Sequence, residues 1–336
     1  MKHTFIIVEA GVNHNGKLDL ALKLCDSAKK SGVNAIKFQT WKTENIVTMT
    51  TNLASYQESS ISNGEISQFE MLKKLELSYH DFITIKDYCE KIGIIFLSTP
   101  DDSESLVFLM KLGINFIKVG SGEVNNTPFL REIGSTKMPV VLSTGMSNLG
   151  EVERAYNILI EAGTPKISLL HCTTNYPCPM DEVNLTAMVT LRDAFKCKVG
   201  YSDHSEGIEI SIAAVALGAE IIEKHFTLDK SMEGPDHKAS LDPMELAEMV
   251  KAIRNIEKAM GNGVKVPTAQ EKSNRAVARK SIVASQFIAK GESFTTDNIS
   301  VKRPGTGISP MQIDALIGEI ALKDFFPDEL ISVSTR

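Results

Sequence analysis

The chain has 336 residues, 43% of them apolar and 23% charged, with 36 basic against 42 acidic side chains and a net charge of −6. This is ordinary globular composition, enough for a barrel of ~250 residues and a small module besides. No apolar run reaches the ~18 residues of a membrane span, and the lack of a Lys/Arg block argues against a nucleic-acid partner.

The opening MKHTFIIVEAG passes straight into a strand-like run without a signal-peptide apolar region, which predicts a cytoplasmic protein. From there short β-branched runs alternate with amphipathic stretches. In order they are FIIVEAG at 5–11, AIKFQT at 35–40, IIFLSTP at 94–100, FIKVGS at 116–121, PVVLST at 139–144, ISLLHCT at 167–173, KVGYSD at 198–203 and EIIEKHF at 220–226. Eight such runs predict an α/β protein whose residues 1–262 form a (β/α)8 TIM barrel. An open doubly wound sheet more usually has fewer strands, and no G-x-G-x-x-G follows the first run. The connection from Trp41 to Tyr79 is long for a βα loop and holds a helical candidate at 66–77. A connection of this length is a lid over the site or a peripheral docking hairpin. Polar residues with Gly and Pro then predict a linker over 263–279. A small module at 280–336 alternates short strands with turns and has too little apolar sequence for a large core, so it is expected to dock on another surface.

Each run turns polar at or just past its C-terminal end, where barrels of this kind keep their functional groups. Residues two apart on a strand share a face, so Lys37 points with Gln39, Ser202 with His204, and Glu223 with His225. Lys37 and Lys118 in a confined mouth need anions, because an unpaired buried charge costs several kcal/mol. Glu9, Glu123 or Glu223 would serve, while Thr99, Ser121 and Ser143 add hydroxyls of the kind a phosphate uses. His204 and His225 end adjacent strands ~4.8 Å apart; they either meet one cation or hydrogen-bond to carboxylates. Two imidazoles with oxygen ligands suit Mn²⁺, Mg²⁺ or Co²⁺, whereas a catalytic zinc usually has three protein ligands. Asp236, on the loop after the second histidine, would bind the metal's water or a substrate hydroxyl, or merely occupy a surface turn. Cys25, Cys89, Cys172, Cys178 and Cys197 are odd in number and lack CxxC spacing, so reduced thiols are expected.

Taken together, EAGVNHNG at 9–16, KFQT at 37–40, STP at 98–100, KVGSGE at 118–123, LSTGM at 142–146 and LHCTTNYP at 170–177 resemble the sialic acid synthase family. So do YSDH at 201–204, EKHFTLDKSMEGPDHKASL at 223–241 and KRPGTGI at 302–308. The resemblance covers nearly the whole chain, in family order. It implies a (β/α)8 barrel followed by a small antifreeze-like (SAF) domain, in a domain-swapped homodimer. It also implies a transferase that condenses phosphoenolpyruvate with an N-acylated aminosugar aldehyde, cleaving the C–O bond of phosphoenolpyruvate to release phosphate and a nine-carbon 2-keto acid. By motif, His204 and His225 become the ligands of a divalent metal, Mn²⁺ foremost. Lys37 and Thr99 take the carboxylate of phosphoenolpyruvate, and Lys118, Ser121 and Ser143 its phosphate. Glu9, Glu123, Tyr176 and Asp236 face the sugar, with Glu9 or Glu123 as the base that activates water. Gln39, Thr174 and Ser202 line the site; the segment CTTNYP leaves open whether Thr174 or Asn175 makes the polar contact before the tyrosine. Arg303 of KRPG would be supplied in trans to the partner's barrel.

The acceptor implied is N-acetylmannosamine, giving N-acetylneuraminate, or 2,4-diacetamido-2,4,6-trideoxymannose, giving N,N'-diacetyllegionaminate; pseudaminate fits the same motifs less well. A non-catalytic carbohydrate-binding protein would be expected to lack the residues at the strand ends. A metal-dependent sugar isomerase would turn over an aldose without phosphoenolpyruvate.

Overall fold

The computed structural model describes residues 3–53 and 67–333. Two compact units make up the chain, Met1–Gly261 and Asn262–Arg336.

Among the described residues the first unit holds eight strands: β1 Phe5–Gly11, β2 Ala35–Thr40, β3 Ile95–Pro100, β4 Ile117–Val119, β5 Val140–Ser143, β6 Ile167–His171, β7 Lys198–Asp203 and β8 Ile221–His225. They pair in the order β3-β2-β1-β8-β7-β6-β5-β4, parallel at every junction. The two end strands, β3 and β4, lie against each other, which makes the sheet a nearly closed barrel. Helices between the strands cover its outside. Leu18–Ser31 shows how: Ala21, Leu24, Cys25 and Ala28 are its buried stripe, at helical spacing, and Gly32 ends it in the left-handed conformation at φ 79. Fully burying a side chain such as Leu24 stabilises the fold by roughly 1.5–3 kcal/mol.

Alternation along the strands determines what fills the interior. Ile7, Ala35, Leu97, Val141, Leu170 and Ile221 pack together as an apolar layer. Two residues further along, the same inward face carries Glu9, Lys37, Thr99, Ser143 and Glu223, all buried. The barrel therefore has an apolar floor beneath a charged layer.

In the long second connection the candidate at 66–77 is a helix over Gln68–Leu75, opened by a reciprocal cap between Ser67 and Glu70. Residues 54–66 of this connection lie outside the described residues. Met71 and Leu75 pack with Val12 and Trp41, which seats the helix on the loop that follows β1. That approach is close: Gly16 has φ 69, and a Cβ there would lie 2.4 Å from the carbonyl oxygen of Lys74.

In the second unit, β9 Ser281–Ala284 and β10 Ile299–Lys302 pair antiparallel. Ile282, Phe294, Phe325 and Ile331 belong to its own small core. Within the stretch read as a linker, Ala269–Ala278 is helical, because Thr268 and Glu271 cap it reciprocally. Polar composition conceals that cap. All five cysteines are free, and among the described residues no helix is long and apolar enough to cross a membrane.

Gly16→Ala should destabilise the first unit by about 1–3 kcal/mol, since it strains the backbone and drives Cβ into Lys74. Urea unfolding of the variant beside wild type measures the loss; an unchanged midpoint would refute the seating of the 68–75 helix.

Candidate active site

The charges of this layer come from four strands. Lys37 Nζ on β2 lies 2.6 Å from Glu9 Oε2 on β1 and 3.9 Å from Glu223 Oε2 on β8. Lys118 Nζ on β4 lies 3.3 Å from Glu223 Oε1. Hydroxyls complete the contacts: Lys37 donates to Thr99 Oγ1 at 3.0 Å, Lys118 to Ser143 Oγ at 2.7 Å, and Ser202 Oγ to Glu223 Oε1 at 2.9 Å. Gln39 Nε2 donates to Glu9 Oε1 at 3.0 Å. Both lysines are thus paired within the chain, by Glu9 and Glu223 rather than by Glu123.

The two carboxyls of this layer separate in acidity. Burial pushes both up, but at Glu223 it is outweighed by Lys118, Lys37 and the Ser202 hydroxyl, which pull it down to about 2. Glu9 has burial and the neighbouring Glu223 charge against it and only one lysine for it, and rises to about 7. At Lys37 burial opposes the charge, yet the two carboxylates win and hold the ammonium above its ordinary value.

Above this layer the two histidines come together, with ring centroids 5.4 Å apart. Tyr176 covers them, its ring 4.1 Å from His204 and 5.5 Å from His225. Burial holds both imidazoles neutral: His204 falls to about 4 and His225 well below its usual value. His204 Nδ1 lies 2.7 Å from the Thr173 carbonyl oxygen, which can only accept; Nδ1 must therefore carry the proton, and Nε2 keeps its lone pair. His225 Nδ1 is buried without a hydrogen-bond partner and lies 3.8 Å from Asp236 Oδ2. Two neutral imidazoles, one with an orphaned nitrogen, fit a divalent ion that takes its other ligands as oxygen. Among the described residues no group of three His, Cys, Asp or Glu forms a metal site, so such an ion would need oxygen from water or substrate.

Loop contacts place Asp236. Asn13 Nδ2 donates to the Phe226 carbonyl and to Ser240 Oγ, at 2.8 and 2.9 Å. His237 bridges Thr227 Oγ1 at 2.6 Å and Asn15 Oδ1 at 3.1 Å. The VNHNG and GPDHKAS motifs are therefore staples between the loops after β1 and β8. They bring Asp236 to the mouth beside Glu9: a side chain at Gly11 would lie 3.4 Å from Glu9 Oε1 and 3.7 Å from Asp236 Oδ2. Burial raises Asp236 to about 6.

On the opposite side Ser121 Oγ accepts from the Gly145 amide at 2.9 Å and touches Cys172 Sγ at 3.1 Å. Only glycine fits at 145, where a Cβ would meet Thr174 Oγ1 at 2.3 Å and Ser121 Oγ at 2.9 Å. Thr174 Oγ1 is buried without a partner, while Asn175 turns to Glu182 Oε2 at 3.2 Å. Of those two neighbours, Thr174 packs against the Gly145 turn beside Ser121. Glu123 sits on the short turn Ser121–Glu123 and accepts from Asn126 at 2.6 Å, half-buried. Arg303 lies in the second unit, exposed.

Glu223 serves as the lysine partner that its place two residues before His225 suggests, and Asp101 is a further carboxyl near Lys37 that sequence position does not single out. Asp101 follows Thr99 by two, just past the end of β3; burial, with Glu123 and Glu9 nearby, raises its carboxyl to about 8 against the pull of Lys37.

A barrel with convergent charges and hydroxyls at the C-terminal ends of its strands is the frame of an enzyme active site. Similarity to known proteins makes the class specific. The chain matches the NeuB family over residues 24–265 and the SAF domain over residues 279–334. It is 51% identical to the N,N'-diacetyllegionaminic acid synthase of Campylobacter jejuni, across 98% of this chain and 99% of that one. Identity to the Legionella pneumophila protein of the same name is 45%, across 94% and 89%. A crystal structure of N-acetylneuraminic acid (sialic acid) synthetase from Leptospira borgpetersenii, in complex with citrate, superposes with a TM-score of 0.71 at 37% identity, covering 81% of this chain and 90% of that one. The chain belongs to the NeuB family, that of the sialic acid synthases.

Glu223→Gln should destabilise the protein by about 3–5 kcal/mol near neutral pH, because it strips a shared anion from two buried lysines. The folded value of about 2 lies below the usual 4.5, so this contribution is whole above pH 4.5 and fades as pH falls toward 2. Denaturant titrations of both proteins across that range check it: a constant gap would contradict the bridge.

Proposed function

We propose that the protein is a nonulosonate synthase that joins phosphoenolpyruvate to 2,4-diacetamido-2,4,6-trideoxymannose, giving N,N'-diacetyllegionaminate and phosphate. The observation that carries the reaction class is the pair of buried lysines, each already in contact with a hydroxyl, in the charged layer of a NeuB-family barrel. The acceptor rests on identities of 51% and 45% to two legionaminate synthases, against 37% to the sialic acid synthetase. N-acetylmannosamine is the alternative acceptor.

In this reading Lys37 and Thr99 hold the carboxylate of phosphoenolpyruvate, while Lys118, Ser121 and Ser143 hold its phosphate through charge-assisted hydrogen bonds. Held so, the enol carbon faces the sugar aldehyde and forms the new C–C bond. Water then adds at the carbon bearing the phosphate, and that C–O bond breaks. Glu9 is the better of the two candidate bases: a buried carboxyl near 7 is matched to taking a proton at neutral pH, whereas Glu123 is tied to Asn126 at the rim. Gln39 orients Glu9, Tyr176 and Asp236 line the sugar side, and Thr174 offers it an unused hydroxyl. A divalent ion held by His204 and His225, Mn²⁺ foremost, would supply Lewis-acid polarisation of the aldehyde.

Phosphate release decides the reading. With phosphoenolpyruvate and a divalent ion, the diacetamido sugar should exceed N-acetylmannosamine by at least about tenfold in kcat/KM. A reversed preference would make the product N-acetylneuraminate, and aldose turnover without phosphoenolpyruvate would make the protein an isomerase. A chelator should abolish activity, with Mn²⁺, Mg²⁺ or Co²⁺ restoring it. His225→Ala should lose the metal; full activity of that variant in metal-free buffer would remove the ion from the mechanism.

The exposed Arg303 is assigned to the partner's site in a domain-swapped homodimer. Closed twofold symmetry makes the exchange reciprocal. After random subunit exchange between His225→Ala and Arg303→Ala proteins, roughly half the dimers are hybrids with one good site of two, so about a quarter of wild-type activity should return. Activity that stays at the level of the separate variants, despite proven exchange, would place Arg303 outside the partner's site.

A further inference from the structure

Strands β7 and β8 carry an ion pair that none of these steps uses. At the end of β7, Ser202 and the next-but-one residue His204, just past the strand, face the pocket, so Asp203 between them faces out; on β8, Glu223 and His225 face the pocket, so Lys224 faces out. Asp203 and Lys224 are register partners, and Lys224 Nζ lies 3.0 Å from Asp203 Oδ2 with both side chains fully buried.

The pair grips the chain just past His204. Lys224 Nζ donates to the Ser205 carbonyl at 2.5 Å. Asp203 Oδ1 accepts from the Ser205 amide at 2.9 Å and from Ser205 Oγ at 2.6 Å. Its other oxygen accepts from Ser211 Oγ at 2.7 Å, on the helix Glu209–Ala216 outside the barrel. We infer that Asp203 and Lys224 are positioning residues, which hold the ends of β7 and β8 in the register that sets His204 against His225. The inference rests on the reading of those histidines as metal ligands.

Stability alone gives this pair no reason to be ionic. Apolar residues of similar volume commonly fill such a space with no loss of stability. They would leave Ser205 unheld, and with it the backbone that carries His204. A partner behind a metal ligand typically matters by 10–100-fold in metal affinity or activity.

The test removes the pair in charge-balanced, apolar form, as Asp203→Leu with Lys224→Met. Four quantities are read: the thermal midpoint, the phosphoenolpyruvate Kd, the Mn²⁺ Kd by calorimetry, and kcat. The Mn²⁺ Kd should rise about 10–100-fold, and kcat at limiting Mn²⁺ should fall by a similar factor. The phosphoenolpyruvate Kd should change by less than about twofold, and the thermal midpoint should hold. A folded double variant with wild-type Mn²⁺ affinity and kcat overturns the inference alone. So does a variant that loses midpoint and both affinities together, which marks general loosening. Wild-type protein that binds no Mn²⁺ overturns the metal reading and this inference with it. Should the double variant fail to fold, Lys224→Arg keeps the cation but moves its donors, and the same two dissociation constants decide.

Discussion

One carboxylate shared by two buried lysines organises the barrel mouth. Lys37 and Lys118 stand on β2 and β4, strands separated by β3 across the closure and by β1 and β8 to β5 along the hydrogen-bonded order. Leaving either charge unpaired beneath the pocket would cost several kcal/mol. Glu223 reaches both, at 3.9 and 3.3 Å. The apolar layer below cannot solvate these groups, so their geometry is set by one another.

From that bridge the acidity of the remaining groups follows. Glu223 has two cations and a serine hydroxyl, and stays ionised through the physiological range. Glu9 shares only Lys37 and stands in the field of Glu223, which keeps its proton available near neutrality. Two carboxyls in one layer are thereby driven apart, and such a split marks acid–base assignments.

Much of this frame is legible in the sequence because its rules are local. Strand alternation puts Glu9, Lys37, Gln39, Thr99, Ser202, His204, Glu223 and His225 on inward faces from spacing alone. What spacing cannot give is which inward groups touch. Glu9 and Glu123 look alike as strand-end carboxyls, and only the closed barrel shows one buried against lysine and the other at the rim. Thr174 and Asn175 are neighbours with different surroundings: one meets Gly145, nearly thirty residues earlier, and the other Glu182. The 269–278 helix was hidden because its cap is polar, as a linker is.

Alternation also explains why β7 and β8 tolerate so little freedom. A slip of one residue would turn Lys224 and Asp203 into the pocket and put both histidines into the helix layer. The inward face alone cannot prevent this, since polar and charged residues occupy both faces at these strand ends. An outward ion pair between register partners removes the ambiguity: with the register shifted, Asp203 and Lys224 no longer stand opposite each other, and two charges lose their partners in the dry layer under the helices. The charge pattern of SDH and EKH thus specifies register as well as chemistry, and the pocket depends on the face that never meets a ligand.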